Sequence, residues 1–225
     1  MRQLLSFLLL GSALVGAAAP AWAGDLHGSI KLKSELAQRR IGKQKADPGD
    51  STTAYPDRSK GGDSEIENVV VFLEGGSLKA TPQKSRSNDN TLIQRDKEFI
   101  PHVLTIVKGT KVYFENQDSF AHHLYSESRP GEFEISKHTK GVRTQSFDDA
   151  SVVETFCGIH TKMNCYILVL SNDYFCKVNS KGSYRLKGIP AGSYKLTAWH
   201  PRLSKPVVRT IKIEASGSKQ EDIEL

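Results

Sequence analysis

The sequence has few of the features that define several common protein classes. Three cysteines in 225 residues are too few for a disulfide-dense scaffold. The absence of a glycine period and of heptads excludes collagen-like and coiled-coil proteins. After residue 23, no apolar run reaches the ~20 residues that a membrane-spanning helix needs. The hydrophobic content of 38% and charged content of 25% are those of a globular chain.

The first 23 residues have the pattern of a secretory signal peptide. Arg2 provides a positive start, residues 4–15 are apolar, and Ala21-Trp22-Ala23 offers small residues at a cleavage site. We therefore expect cleavage before Gly24 and a periplasmic location. No integral membrane segment is expected in the mature chain.

The mature chain is mildly basic. The formal net charge of +6 falls to +5 when Arg2 is removed with the leader. The densest basic group, Arg39, Arg40, Lys43 and Lys45, stands among Gly, Asp and Pro rather than among aromatic residues. This pattern is atypical of nucleic-acid binding, so no nucleic-acid partner is predicted. A net positive charge favours an acidic partner through electrostatic steering.

Strand patterns dominate the mature chain. Residues 28–32 alternate, and residues 69–73 form a β-branched run that ends at Gly75-Gly76. Residues 103–107 and 111–116 flank a three-residue connection containing glycine, which predicts a β-hairpin. Further strands are predicted over residues 152–156, 166–170, 183–186, 193–199 and 207–213. Short strands with regular turns predict an all-β protein made of sandwiches or barrels.

The C-terminal stretch resembles the transthyretin-like, carboxypeptidase-regulatory β-sandwich modules of exported proteins. Gly188-Ile189-Pro190-Ala191-Gly192 leads into a predicted strand, and its proline and glycines favour a tight turn. The resemblance implies that residues 28–32 and 69–73 supply the first strands of the same module. One sandwich would then be built from both ends of the chain.

The residues with the most distinctive chemistry are Cys157, His160 and Met163. A thiol, an imidazole and a thioether follow a predicted strand within seven residues. Soft sulfur with imidazole suits copper, and two histidines, one cysteine and a weak axial methionine form the blue-copper set. The second imidazole has a candidate upstream in the pair His122-His123. Met163 is the only methionine after Met1, so it is not one of several interchangeable core fillers.

Taken in order, these motifs resemble those of cupredoxins. The matching segments are Phe99-Ile100-Pro101, Val107-Lys108-Gly109, Val112-Tyr113-Phe114-Glu115-Asn116, Phe120-Ala121-His122 and the Cys-x₂-His-x₂-Met loop. The loop spacing is similar to that of amicyanin. Together with Trp199-His200-Pro201, the chain resembles periplasmic plastocyanin-like proteins called methylamine utilization proteins. The resemblance implies a cupredoxin Greek-key β-sandwich over residues 93–174. The implied domain order is signal peptide (1–23), N-terminal strands and loops (24–92), cupredoxin domain and transthyretin-like sandwich (175–225).

The resemblance also implies a ligand set for one type 1 copper ion. His122, Cys157 and His160 match the equatorial ligands, and Met163 matches the axial ligand. His123 stands where cupredoxins often have asparagine, which leaves the choice between His122 and His123 open. Alternate residues of an extended segment point to opposite sides, and this phase favours His122.

The predicted function is one-electron transport between transient redox protein partners. The alternative is a periplasmic copper carrier or sensor that exchanges no electrons, and a third possibility gives the function to the transthyretin-like part. Zinc also binds cysteine and histidine but seldom a thioether. A binuclear copper centre requires cysteines where Val152 and Phe156 stand. Nothing resembles a nucleophile paired with a base, so the chain is not predicted to be an enzyme.

Several other residues have alternative interpretations. Cys165 and Cys176 are either a disulfide of an oxidising compartment or two buried thiols. His102 is interpreted as a packing residue rather than a ligand. His138 lies in a polar segment and is expected to be exposed. His200 is interpreted as a structural corner, with an interdomain contact as the alternative.

Overall fold

The computed structural model describes residues 23–37, 64–76, 78–83 and 85–225. Regular structure in these ranges is almost entirely β, with one helical turn, α1 (Ser34–Ala37), and 3₁₀ turns at Glu65–Asn68 and Asn88–Asn90. The predicted all-β class is therefore confirmed. Residues 1–22 of the predicted signal peptide and the basic group at 39–45 lie outside the described ranges. No helix within those ranges is long and apolar enough to cross a membrane.

The strands follow one another closely along the described ranges. They are β1 (Ala23–Lys31), β2 (Val70–Glu74), β3 (Thr91–Arg95), β4 (Glu98–Ile100), β5 (Val103–Val107), β6 (Thr110–Asn116), β7 (His122–Ser126), β8 (Phe133–His138), β9 (Gly141–Phe147), β10 (Ser151–Cys157), β11 (Asn164–Leu170), β12 (Phe175–Lys177), β13 (Ser183–Pro190), β14 (Gly192–Trp199), β15 (Val207–Ile213), β16 (Ser218–Gln220) and β17 (Ile223–Glu224). They form two sandwiches, each of two sheets.

The central sandwich contains β3 to β11. One sheet has the strand order β5-β11-β10-β7-β8, and the facing sheet has the order β4-β3-β6-β9. Alternate residues of these strands point inward and form one hydrophobic core, which includes Phe114, Leu124, Val153 and Ile167.

The second sandwich combines strands from both ends of the chain. β1 pairs with β13, β16 and β17, and β2 lies between β12 and β14 in the facing sheet, with β15 at its edge. Its core includes Leu26, Val71, Leu196 and Ile211. The central sandwich is thus inserted, in sequence, between the strands of the second sandwich.

The two sandwiches pack against each other through strands that are buried on both faces. In β2, Val71 and Leu73 point into the second core, whereas Val70 and Phe72 point toward the central sandwich. Leu168 of β11 lies in the same junction cluster. The four sheets therefore stack as successive layers, and continuous apolar runs such as residues 69–73 are typical of strands in such positions.

A polar cluster lies beside this junction. The His200 ring is fully buried, and its Nε2 atom lies 3.2 Å from Glu65 Oε2. The neighbouring His200 ring lowers the pKa of Glu65, although burial opposes this shift. His200 thus serves as a buried contact between the end of β14 and the 3₁₀ turn that precedes β2.

The predicted hairpin over residues 103–116 is wrong in its pairing, although both strands exist. β5 pairs in parallel with β11, and β6 pairs with β3 and β9 in the opposite sheet. The connection at Lys108-Gly109 therefore crosses from one sheet to the other, and Gly109 adopts a φ of 79° there. All five residues of β5 are buried because a second sandwich covers its outer face.

Candidate metal centre

Three predicted ligands meet at one end of the central sandwich, which we call the metal end. His122 begins β7 and Cys157 ends the neighbouring strand β10, where Cys157 lies opposite Leu124. His160 lies on the loop that joins β10 to β11. One ligand atom from each of His122, Cys157 and His160 lies within 4.8 Å of the others.

The separations of these atoms fit a shared metal ion. The Cys157 Sγ atom lies 3.6 Å from His122 Nδ1 and 3.5 Å from His160 Nδ1. Metal–nitrogen and metal–sulfur bonds of about 2.0–2.3 Å place nitrogen and sulfur ligands of one ion about 3.5–3.8 Å apart. One thiolate and two imidazoles also match the donor preference of copper.

The loop between β10 and β11 is closed by its own backbone. The Cys157 N–H donates to the Met163 carbonyl over 3.0 Å, and the Met163 N–H donates to the His160 carbonyl over 2.9 Å. These bonds hold the ligand loop in a tight turn, and the Met163 side chain is fully buried in the central core. Coordination by the Met163 thioether stays a prediction.

The surroundings of Cys157 favour its thiolate. Burial alone would raise the pKa of the Cys157 thiol. A hydrogen bond with His122 and backbone hydrogen bonds with His123, Ile159 and His160 oppose burial and lower the pKa. A thiolate is the form of cysteine that binds metals.

A hydrogen bond holds the His122 ring at the nitrogen that faces away from Cys157. Its ring is fully buried, and its Nε2 atom lies 2.8 Å from Oδ2 of the buried Asp118 carboxylate. Burial alone would lower the pKa of His122, but the hydrogen bonds with Cys157 and Asp118 raise it. The Nδ1 atom is therefore the nitrogen that faces the predicted metal position.

His123 points to the opposite side of β7. Its Nε2 atom lies 2.8 Å from Glu134 Oε1, and 32% of its side chain is exposed. Its carbonyl accepts a hydrogen bond from the Gly158 N–H over 2.8 Å. His122 belongs to the three-donor group and His123 does not. This agrees with the rule that neighbouring residues of a strand point to opposite sides.

His102 and His138 lie outside the three-donor group. The His102 ring packs edge-on against Tyr166, with ring centroids 5.6 Å apart. The expectation that His138 is exposed is wrong: it is 5% exposed and lies opposite His122 in the β7–β8 pair. Its burial follows from strand pairing, since His122 faces the core at the same position.

The three cysteines, all among the described residues, are free. Cys165 lies in the central core, whereas Cys176 packs against the core of the second sandwich. The two thiols therefore belong to different cores. Of the two alternatives considered above, the structure agrees with two separate thiols rather than a disulfide.

An apolar rim surrounds the outer edge of the site. Phe120 and Ile159 are 37% and 42% exposed, whereas His160 is half-buried. The Phe120 ring lies 5.3 Å from the His122 ring and 5.4 Å from the His160 ring, measured between centroids. The Lys97 Nζ atom lies 5.8 Å from the Phe120 centroid.

Sequence reasoning did not identify Asp118 or the contact of Phe120 with both histidine rings. An available signal was the spacing of Asp118, four residues before His122. A carboxylate that accepts a hydrogen bond from a metal-binding histidine is a frequent feature of metal sites.

Comparison with known proteins returns cupredoxins among the solved structures. A purple cupredoxin from Nitrosopumilus maritimus is 22% identical, with a TM-score of 0.33, over 36% of this chain and 98% of that chain. An oxidised point mutant of amicyanin is 13% identical, with a TM-score of 0.35, over 44% of this chain and 98% of that chain. A copper-containing nitrite reductase from Thermus scotoductus SA-01 is 24% identical, with a TM-score of 0.35, and the chain spans a quarter of its length.

No family model matches the chain, and no curated protein matches it. The strand topology of the chain itself is the all-β sandwich architecture expected from the sequence.

Proposed function

We propose that this chain is a periplasmic type 1 copper protein that carries single electrons between redox partners. The observation that supports this most strongly is the convergence of His122 Nδ1, Cys157 Sγ and His160 Nδ1 at one point. His122, Cys157, His160 and Met163 would hold the ion. Copper bound there would supply a one-electron couple.

The protein residues would keep the ligand positions nearly constant during electron transfer. His122 and Cys157 lie on paired strands, and the backbone bonds of Met163 close the ligand loop. A site held on rigid elements rearranges little when the charge of its ion changes. Among the described residues, His122, Cys157 and His160 form the one such group that is found.

The apolar rim of Phe120 and Ile159 is the proposed contact surface for partners. It surrounds His160, the one half-buried ligand, so an electron would leave through this ring over a short distance. Transient redox encounters bury less than ~1,200 Å² in total, so a small apolar surface is sufficient for one.

The charges of the central sandwich indicate the chemistry of the partner. The connections at the metal end, residues 96–97, 117–121, 139–140 and 158–163, carry three lysines and two aspartates, one of which is the buried Asp118. The connections at the opposite end, residues 108–109, 127–132, 148–150 and 171–174, carry two basic and five acidic residues. This asymmetry would orient the metal end toward an acidic partner surface.

The test is a copper titration of the purified chain. Wild-type protein should develop an intense visible thiolate-to-copper absorption with a narrow copper hyperfine splitting. Cys157→Ser should remove this absorption, because serine provides no soft sulfur donor. The matched control is Cys165→Ser, which changes a cysteine of the same core and should keep the colour.

A second measurement separates electron transport from copper storage or sensing. In protein-film voltammetry, an electron carrier should give a fast and reversible one-electron couple. Tight copper binding without such a couple would favour the carrier or sensor alternative. A wild-type chain that stays colourless with copper would contradict the proposed centre altogether.

A further inference from the structure

Asp118 provides a buried carboxylate beside the proposed ligand His122. The residue is 7% exposed, and its Oδ2 atom lies 2.8 Å from His122 Nε2. An ionised carboxylate accepts hydrogen bonds and donates none, so the ring nitrogen is the donor. Asp118 therefore holds the hydrogen on Nε2 and directs Nδ1 toward Cys157 Sγ, 3.6 Å away.

This carboxylate is held in place independently of His122. The Asp96 N–H donates to Oδ1 over 2.7 Å, and the Lys97 N–H donates to Oδ2 over 3.2 Å. The Asp118 N–H itself donates to Asn116 Oδ1 over 2.9 Å. Asp118 thus links the turn between β3 and β4 to the segment that carries His122.

The geometry of that turn makes its N–H groups available to Asp118. Asp96 and Lys97 have φ values of 55° and 59°, as in the two-residue turns whose central residues are both left-handed. Such a backbone is unfavourable for residues other than glycine. The two hydrogen bonds to the carboxylate offset part of this cost, so the turn and the carboxylate stabilise each other.

We propose that Asp118 is a positioning residue of the metal site that also tunes its redox potential. This inference rests on the proposed copper function. By accepting from Nε2, the carboxylate makes the imidazole a stronger donor at Nδ1. Its negative charge stabilises the more highly charged oxidised ion and so lowers the reduction potential.

The chain offers a matched pair of variants for the test. Asp118→Asn and Glu134→Gln each convert a carboxylate that bonds a histidine ring into an amide, and each removes one negative charge near the site. Glu134 contacts His123, which points away from the three-donor group. An effect that depends only on the lost negative charge, and not on contact with His122, should therefore appear in both variants.

Copper titration and voltammetry should distinguish these variants. Asp118→Asn is expected to weaken Cu(II) binding about 10–100-fold, to raise the reduction potential and to shift the visible absorption. Glu134→Gln should leave all three near their wild-type values. Equal shifts in both variants, or no shift in Asp118→Asn, would overturn the positioning role while leaving the proposed function intact.

A measurement without copper tests the hydrogen bond directly in the wild-type chain. In the metal-free wild-type chain, proton NMR should show a downfield His122 Nε2–H signal that exchanges slowly with solvent. Asp118→Ala should lose this signal. Its absence from the wild type would overturn the inference, whatever the copper titration gives. Failure of wild-type copper binding, in contrast, would reject the proposed function and the positioning role with it.

Discussion

At the scale of single residues, the three cysteines have different chemistry because their surroundings differ. Burial raises the pKa of Cys165 well above its usual range and raises the pKa of Cys176 to about 11. Cys157 is also buried, but the hydrogen bonds around it lower its pKa. Of the three thiols, Cys157 is thus the one suited to metal binding at neutral pH.

Met163 provides a residue-scale prediction about the axial side of the site. Met163→Leu nearly conserves volume in a fully buried position, so the free energy of unfolding should fall by less than about 1.5 kcal/mol. Loss of the weak sulfur donor should shift the reduction potential, because the identity of this ligand tunes the potential of the site. Voltammetry and denaturant unfolding measure these two effects separately.

The control for Met163→Leu is Leu92→Met in the same core. This variant exchanges the same two residue types at a fully buried position of β3, outside the ligand loop. It should change stability by a similar amount and leave the potential unchanged. A shift of potential in both variants would assign the effect to core packing and would contradict axial coordination.

The sequence predicted the side chains that converge at the site, but not the residues that hold them in position. Strand phase placed His122 inward and His123 outward, since neighbouring residues of a strand face opposite sides. The spacing of Asp118 from His122 was an available signal, but the backbone N–H groups that hold its carboxylate lie 22 and 21 residues upstream, where local sequence does not reveal them. The burial of His138 was missed for a similar reason: it depends on pairing with β7, which local polarity does not reveal.

At the scale of strands, the sequence predicted β5 and β6 but not the sheets to which they belong. A short glycine-containing connection is typical of a hairpin, yet here it crosses between sheets. β5 contains four apolar residues and Thr105, all of them buried, whereas buried and less buried residues alternate in β6. A mostly apolar run indicates burial on both faces, and β5 is covered on both faces although it lies at the edge of its sheet.

The ligand loop provides a strand-scale prediction at Gly158. A Cβ atom at this position would lie 2.6 Å from His123 Nδ1, and the His123 ring is held by Glu134. Gly158→Ala should therefore displace the ring or the loop, lower the free energy of unfolding by about 1 kcal/mol or more and alter the visible copper spectrum. Denaturant unfolding and absorption spectroscopy measure these changes.

A double variant identifies the cause of the Gly158 effect. His123→Ala removes the ring that the new methyl group meets, so the combination with Gly158→Ala should recover the wild-type spectrum. His123→Ala alone should keep the copper absorption because His123 lies outside the three-donor group. If the double variant is as perturbed as Gly158→Ala, contact with His123 is not the reason that this position is glycine.

At the scale of the whole molecule, the second sandwich restricts which surfaces can receive a partner. It covers the outer face of β5 and β11 through the junction cluster of Val70, Phe72 and Trp199. The metal end, with its apolar rim, remains exposed at Phe120 and Ile159. Packing and charge thus leave the same end of the central sandwich available for the proposed electron exchange.

The charge asymmetry predicts how electron transfer depends on salt and on single lysines. Hexacyanoferrate(III), an anion that takes one electron from the reduced copper protein, should react faster at low salt because the metal end is basic. Lys140→Glu, at an exposed position of the metal end, should slow this reaction several-fold at low salt. Lys212→Glu makes the same change of net charge on the second sandwich and should have a smaller effect. Stopped-flow absorbance of the copper band measures both rates, and equal slowing by the two variants would show that net charge, rather than a basic metal end, attracts the oxidant.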